Sequence, residues 1–221
     1  MKTVMTVLGL FATIALLGGY LFAVNYGEPG SGTSKMETRE LESFDRISLT
    51  EIGTINVNFG DTQLVTITTD DNLVDLVETT VKDGELIIRP SKSINPTNDL
   101  VIDITVPHLS GVELAGTARL NINEINCESF EIELAGACGV DATGSVKNLT
   151  VELAGACRAR LMRLEAENAE VEIAGTGSAV VFATKTIDAS ASGFASITCH
   201  GNPNNVQKEA NGISRVRIMG S

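Results

Sequence analysis

In the second half of the chain, hydrophobic and polar residues alternate at every second position, which is the periodicity of a β-strand. The first clear run of apolar positions consists of Val112, Leu114, Ala118, Leu120 and Ile122. Similar runs recur as far as Ile218, and no apolar spacing typical of a helix competes with them. The pattern therefore predicts successive short β-strands from residue 111 to the end of the chain.

A short motif repeats within these strands. It reads VELAG at 112–116, IELAG at 132–136, VELAG at 151–155 and VEIAG at 171–175, with two fainter copies at 189–193 and 208–212. The copies end in a glycine series with spacings of 18 to 20 residues: Gly116, Gly136, Gly155, Gly175, Gly193 and Gly212. This unit is too short for a strand plus a crossover helix, which needs about thirty residues. The repeat predicts an all-β solenoid with coils of about 19 residues.

Stacking of coils explains why the same residue types recur. Equivalent residues of neighbouring coils lie about 4.8 Å apart in a β-solenoid, so like side chains form columns along its axis. Gly136 and Gly155 should then be vertical neighbours. We expect the repeated glycines to be structural and to point inward, where a Cβ would collide with the opposite wall.

The first half of the chain also has a β pattern. Residues 41–110 contain apolar runs interrupted by turn signals such as Gly60-Asp61 and Asp83-Gly84. These runs either continue the solenoid or form a separate cap, and we favour earlier, less regular coils that precede the regular repeat of residues 111–221. Residues 25–40 are rich in glycine, serine and proline, which predicts a flexible linker.

The N-terminus has the character of an export segment. Residues 3–24 carry no charge, and about twenty apolar residues are enough for a helix to cross a bilayer. We predict that residues 1–24 form a hydrophobic helix that is either an uncleaved membrane anchor or a cleaved signal peptide. Both alternatives place the rest of the chain outside the cytoplasm, facing the periplasm or the extracellular space.

Charge and composition narrow the choice of partners. The formal net charge of −12 repels phosphate backbones, which argues against nucleic acid as a partner. Aromatic residues make up only 4% of the chain, whereas 21 residues are glycine, and this balance favours a thin stacked structure. We assign no cofactor and no metal site from the sequence.

Two sets of outward residues are candidates for binding. The first set is an acidic column at one position of four coils: Glu113, Glu133, Glu152 and Glu172. It is either a solvated face, with Arg119 and Arg158 nearby, or a surface for a basic partner or Ca²⁺. The second set follows the glycines on a flat β face, and its candidates are Thr117, Thr176 and Phe194.

Cysteine and histidine residues suggest no catalytic site. Cys138 and Cys157 occupy the same column, so they form either a disulfide or two free buried thiols. Alternation points Cys199 and His200 to opposite faces, which argues against a shared metal. We assign no catalytic residue.

Several segments resemble the head GIN domain family, whose members are described as auto-transporter adhesins. The segments are FDRISL at 44–49, IGTINVNF at 52–59, VKDGELII at 81–88 and the repeated LAG. Over residues 41–221 the resemblance implies an exported, right-handed, single-stranded β-solenoid. It also implies a non-enzymatic module of the bacterial cell envelope that binds an envelope protein or a glycan. The alternatives are a polysaccharide-processing β-helix enzyme and an envelope signalling ectodomain.

Overall fold

The computed structural model describes residues 27–220, and β-strands dominate this range. The predicted N-terminal helix lies outside the described residues. The strands are β1 (Glu28–Pro29), β2 (Ser34–Arg39), β3 (Arg46–Phe59), β4 (Leu64–Asp70), β5 (Val77–Lys82), β6 (Glu85–Pro90), β7 (Ile94–Asn95), β8 (Val101–Val106), β9 (Gly111–Gly136), β10 (Gly139–Gly155), β11 (Arg158–Gly175), β12 (Ser178–Gly193), β13 (Ser196–His200), β14 (Asn205–Gly212) and β15 (Arg215–Met219). A single 3₁₀ turn, Val74–Leu76, interrupts this part of the chain. Between residues 27 and 220, no helix combines the length and the apolar character that a membrane crossing requires.

The regular half is a β-solenoid, as predicted, and the fold has about five turns. The long strands β9 to β12 pair in parallel, one coil above the next. Leu153 pairs with Leu134 on one side and Ile173 on the other. Gly155 likewise lies between Gly136 and Gly175, which confirms that the repeated glycines are vertical neighbours.

Columns of like side chains build the core. The leucine column is fully buried, with Leu114, Leu134 and Leu153 each at most 2% exposed. A second buried column has small side chains, among them Ala118, Cys138, Cys157 and Ala195. Burying one aliphatic side chain contributes about 1.5–3 kcal/mol, so each coil adds its own stabilising layer.

The glycines form a corner and do not point inward as we expected. Each has a positive φ, for example +105° at Gly136 and +101° at Gly155, and most of the series is exposed. A Cβ on Gly155 would lie 2.6 Å from the carbonyl oxygen of Gly136. The obstacle is therefore the backbone of the neighbouring coil and not the opposite wall. The turn at each glycine breaks the period-two alternation, which is why sequence parity misplaced these residues.

Residues 41–110 supply both less regular coils and a cap. Strand β3 pairs in parallel with β9, and β6 and β8 pair in parallel with the other edge of β3. Strands β4 and β2 then add in antiparallel order beyond β8, and β5 pairs antiparallel with β6. These antiparallel strands cover the edge that an open stack of coils would leave free.

The predicted flexible linker is wrong for much of residues 27–40. Strand β1 pairs with β7, and β2 pairs along its whole length with β4. The loop between β1 and β2 is held by the buried carboxylate of Asp70, which accepts hydrogen bonds from the N–H groups of Gly32 and Thr97, both at 2.8 Å. Asp70 is 38 positions from Gly32 and 27 positions from Thr97 along the chain, so the local composition of the segment could not reveal these contacts.

Candidate functional site

The glycine corner divides each regular coil into two outward surfaces. We call the outward residues before the corner the acidic face and those after it the arginine face. The acidic face includes Glu113, Glu131, Glu133, Glu152, Glu170 and Glu172. The arginine face includes Arg119, Arg158, Arg160 and Arg163. The two surfaces of the same coils thus carry opposite charge.

The acidic face brings the predicted glutamates into one column. Glu152 pairs in register with Glu133 and with Glu172. Partial burial raises the pKa of Glu133, and repulsion from Glu131, Glu113 and Glu152 raises it further. Among residues 27–220, no three acidic, histidine or cysteine side chains are arranged to hold a metal ion. The role of this column in binding stays a prediction.

One arginine compensates part of this repulsion at the capped end of the column. The guanidinium of Arg46 lies 2.8 Å from a carboxylate oxygen of Glu131 and 3.7 Å from one of Glu133. Arg119 and Arg158, which the sequence suggested as neighbours of the glutamates, make no such contact with them. They lie beyond the corner, on the other surface.

The predicted residues of the flat β face also share one column, immediately after the corner. It contains Thr117, Ala137, Ala156, Thr176 and Phe194, all exposed. In the four members from Ala137 to Phe194, the backbone N–H donates to the glycine carbonyl of the neighbouring coil, at 2.7 Å for Ala156 to Gly136 and 2.8 Å for Phe194 to Gly175. We call these five residues the corner column. Its side chains stand on a backbone that hydrogen bonds fix at every coil.

An open groove of about 990 Å³ runs beside the corner column. The corner column forms one part of its lining, and Arg119, Arg158 and Arg160 form another. Asn95 and Asp99, from the segment between β6 and β8, line it as well. The groove thus combines small side chains, guanidinium groups and the ring of Phe194, which is 65% exposed.

Positive charge prevails in this groove. Arg160 donates to both carboxylate oxygens of Asp141, with its Nε 2.7 Å from Oδ1, and this contact lowers the pKa of Asp141. Arg163 and Arg119 lower that pKa further. Between residues 27 and 220, neither Arg119 nor Arg158 forms an ion pair with a carboxylate. Both guanidinium groups are therefore available to a ligand.

Sequence reasoning missed the arginine face as a site, although a signal was present. Arg119 and Arg158 each follow a residue of the small buried column, Ala118 and Cys157, so they occupy equivalent positions two coils apart. The regularity of the glutamates was more conspicuous because it lies within the repeated motif itself.

A second groove, of about 600 Å³, is lined in part by polar side chains that bind each other. The amide of Asn168 donates to Oδ1 of Asn148 at 3.0 Å, and the hydroxyl of Thr186 donates to Oδ1 of Asn168 at 2.9 Å. Asn148 donates in turn to Ser129. These polar side chains bind each other along the axis, and the described residues that line this groove include no arginine or lysine.

The cysteine alternatives are resolved in favour of free thiols. Cys138 and Cys157 are buried beneath the groove and are not bonded to each other. The sulfur of Cys157 lies 3.5 Å from the carbonyl oxygen of Ala154 and 3.6 Å from that of Gly136. The neighbouring Cys157 thiol and burial both raise the pKa of Cys138, which keeps that thiol protonated at neutral pH.

Comparison with protein families finds a match over most of the chain. Residues 43–203 match the family described as "Putative auto-transporter adhesin, head GIN domain". The comparison with curated proteins finds no match.

Solved structures share the fold. A putative adhesin from Bacteroides fragilis is 23% identical with a TM-score of 0.74, and the alignment covers 87% of this chain and 100% of that one. A putative adhesin from Parabacteroides merdae is 16% identical with a TM-score of 0.54, covering 86% and 98%. A putative lipid binding protein from Parabacteroides distasonis is 19% identical with a TM-score of 0.52, covering 86% and 98%. At these identities the likeness concerns the fold.

Proposed function

Because the chain belongs to the head GIN domain family of auto-transporter adhesins, we propose that it is a non-enzymatic, adhesin-type binding module of the cell envelope, presented outside the cytoplasm. The observation that carries this proposal is the open groove beside the corner column. Its volume of about 990 Å³ is at the upper end of the range in which proteins bind small ligands, about 300–1,000 Å³. An elongated open groove of this size suits a segment of an extended ligand.

The construction of the groove supports a binding role. Four of the five residues of the corner column, all except Thr117, donate a backbone hydrogen bond to a glycine of the neighbouring coil. A rigid surface loses little conformational freedom when a ligand binds, and more of the interaction energy then appears as affinity. The partner, a glycan or an envelope protein, would meet a surface that is already in its binding conformation.

The N-terminal segment supports the proposed location. Residues 3–24 are uncharged and long enough for an export signal or a membrane anchor. Fractionation of cells that express the full chain should recover it with the envelope or in the medium. Added protease should digest it in cells whose outer barrier has been opened, while a cytosolic protein of the same cells stays intact. Recovery of the full chain in the cytosol would contradict the location.

Replacement of two alanines by tryptophan, one inside the groove and one outside it, tests the groove. Ala156 is exposed in the corner column, whereas Ala174 is exposed just before the next glycine and does not line the groove. We expect Ala156→Trp to fill the groove and abolish retention of the purified full chain on isolated envelopes, measured by co-sedimentation. The control Ala174→Trp should bind as the wild type does.

Two outcomes would overturn the proposal. Equal retention of both variants would show that the groove is not the binding surface. Depolymerisation of envelope polysaccharide by the wild-type chain, followed as the release of reducing ends or unsaturated sugars, would favour the enzyme alternative.

A further inference from the structure

The arginines of the groove repeat along the solenoid axis. Arg119 and Arg158 belong to one outward column and are separated by Gly139, which pairs with both. Two steps of about 4.8 Å place their Cα atoms about 10 Å apart. The same column continues through Ser178 and Ser196 to Arg215. Positive charge thus recurs on a straight line, with uncharged positions between.

The space between the two arginines is open. A Cβ on Gly139 would approach only the carbonyl oxygen of Arg158, at 3.9 Å, so no side chain fills the interval. A guanidinium group binds a carboxylate through two parallel hydrogen bonds and holds its charge at any physiological pH. The interval therefore suits ligand groups that carry a carboxylate at regular distances.

The corner column offers complementary contacts to the same ligand. Thr117 and Thr176 present hydroxyl groups that donate and accept hydrogen bonds, and Ala137 and Ala156 leave room above the backbone. Phe194 exposes an aromatic face at the far end of the column. Hydroxyl groups, carboxylates and apolar ring faces are the surfaces of an acidic sugar.

We propose that this groove binds a linear acidic polysaccharide, with carboxylates of its uronic acid units paired to Arg119 and Arg158. The proposal rests on the binding function proposed above and names its ligand class. A repeating ligand fits a repeating surface, because each further coil offers the next unit an equivalent position. The net charge of −12 repels any polyanion at long range, so binding depends on the local positive charge of Arg119 and Arg158.

Binding of defined polysaccharides tests the proposal. The probes are polygalacturonate, alginate and hyaluronate, with fully methyl-esterified polygalacturonate as an uncharged control, and binding to the full chain is measured by isothermal titration calorimetry. We expect at least one of the three polyanions to bind and the ester not to bind. The double variant Arg119→Ala/Arg158→Ala should raise the Kd about tenfold or more, because it removes the charged hydrogen bonds to the ligand carboxylates.

Two further variants control for charge and for folding. Arg89→Ala/Lys185→Ala removes the same number of charges from exposed side chains outside the groove, and its Kd should stay within about twofold of the wild type. Gly139→Glu places a carboxylate between the two arginines, and it should abolish binding while the thermal unfolding curve confirms a folded chain.

The possible results separate this inference from the proposed function. Absence of binding to all three polyanions, or equal binding of the methyl ester, overturns the inference. Arginine-dependent binding to phosphatidylglycerol vesicles without polysaccharide binding overturns it in favour of a lipid surface. If Ala156→Trp abolishes envelope retention while Arg119→Ala/Arg158→Ala preserves it, the binding function stands and the acidic ligand is wrong.

Discussion

Substitution of a corner glycine tests the stacking of the coils most directly. Gly155 has a φ of +101°, and a Cβ at this position would lie 2.6 Å from the carbonyl oxygen of Gly136 and 3.2 Å from its nitrogen. Both neighbouring atoms belong to the backbone of a paired strand, so they cannot rotate away as a side chain could. Gly155→Ala must therefore separate two coils or change the backbone conformation at the corner.

The size of the effect follows from two costs and one gain. A residue other than glycine held at such a φ is strained by about 1–3 kcal/mol. Extra volume forced into a packed site costs about 1–3 kcal/mol more. Alanine restricts the unfolded chain and so returns about 0.4–1 kcal/mol. We expect Gly155→Ala to lower the free energy of unfolding by about 2–5 kcal/mol.

The same substitution at Gly139 is the matched control. Gly139 lacks a positive φ, and a Cβ added to it would lie 3.9 Å from the nearest atom, the carbonyl oxygen of Arg158. Gly139→Ala should leave the free energy of unfolding unchanged or raise it by about 0.4–1 kcal/mol, because only the restriction of the unfolded chain remains. Urea denaturation followed by circular dichroism, with linear extrapolation to water, measures both variants.

Equal stability of the two variants would refute the reasoning. It would mean that the coils move apart at the corner without cost, or that Gly136 and Gly155 are not stacked in solution. A loss at Gly155 confined to the slope of the denaturation curve, with an unchanged midpoint, would also contradict the expected clash.

Three further substitutions test the strain and the electrostatics. Glu51 occupies the corner position below Gly116 with a φ of +94°. Glu51→Gly should therefore raise the free energy of unfolding, measured by urea denaturation, by up to about 2 kcal/mol. A decrease would contradict strain at this position. Burial and the neighbouring Glu172 raise the pKa of Glu152, so this side chain holds its proton more tightly in the folded state than in the unfolded state. The stability of the fold therefore falls as pH rises through the raised pKa. Glu152→Gln should therefore raise Tm at pH 7, and this gain should shrink as pH falls toward the ordinary value of a glutamate; a pH-independent gain would point to packing instead. Burial alone would raise the pKa of Asp70, but hydrogen bonds from Asn98 and from other backbone N–H groups lower it. The Asp70 carboxylate therefore stabilises the fold above the ordinary pKa of an aspartate, and this contribution is lost as pH falls through the lowered pKa. Asp70→Asn should lower Tm at pH 7, and the Tm of the variant should approach that of the wild type in acid. A lower Tm of the variant that persists in acid would exclude a role for the charge.

The repeat made the regular half of the fold predictable from sequence. Stacking places identical positions above one another, so a motif such as VELAG reports the coil length, the buried column and the column of glutamates together. The buried leucines and the vertical pairing of Gly136 with Gly155 follow from that single regularity. No other part of the chain has a comparable internal repeat.

The features that sequence reasoning misplaced depend on contacts without local periodicity. The parity of the alternation put the glycines inside. A positive φ at each corner turns the glycine outward, although the buried parity continues on both sides, as from Leu114 to Ala118. The segment from 28 to 39 looked like a linker because its order comes from Asp70 and β4, far along the chain. The groove was missed because Arg119 and Arg158 recur only in alternate coils, with Gly139 between them.

The in-register stacking at the glycine corner makes the binding surface extensible. Each coil contributes one member to the corner column and one to the outward column that holds Arg119 and Arg158, and it touches only its immediate neighbours. Duplicating a unit such as residues 137–155 would lengthen the groove by about 4.8 Å without altering the capping strands. In such a protein, the number of ligand units recognised can change by gain or loss of whole coils, while the chemistry of each contact stays the same.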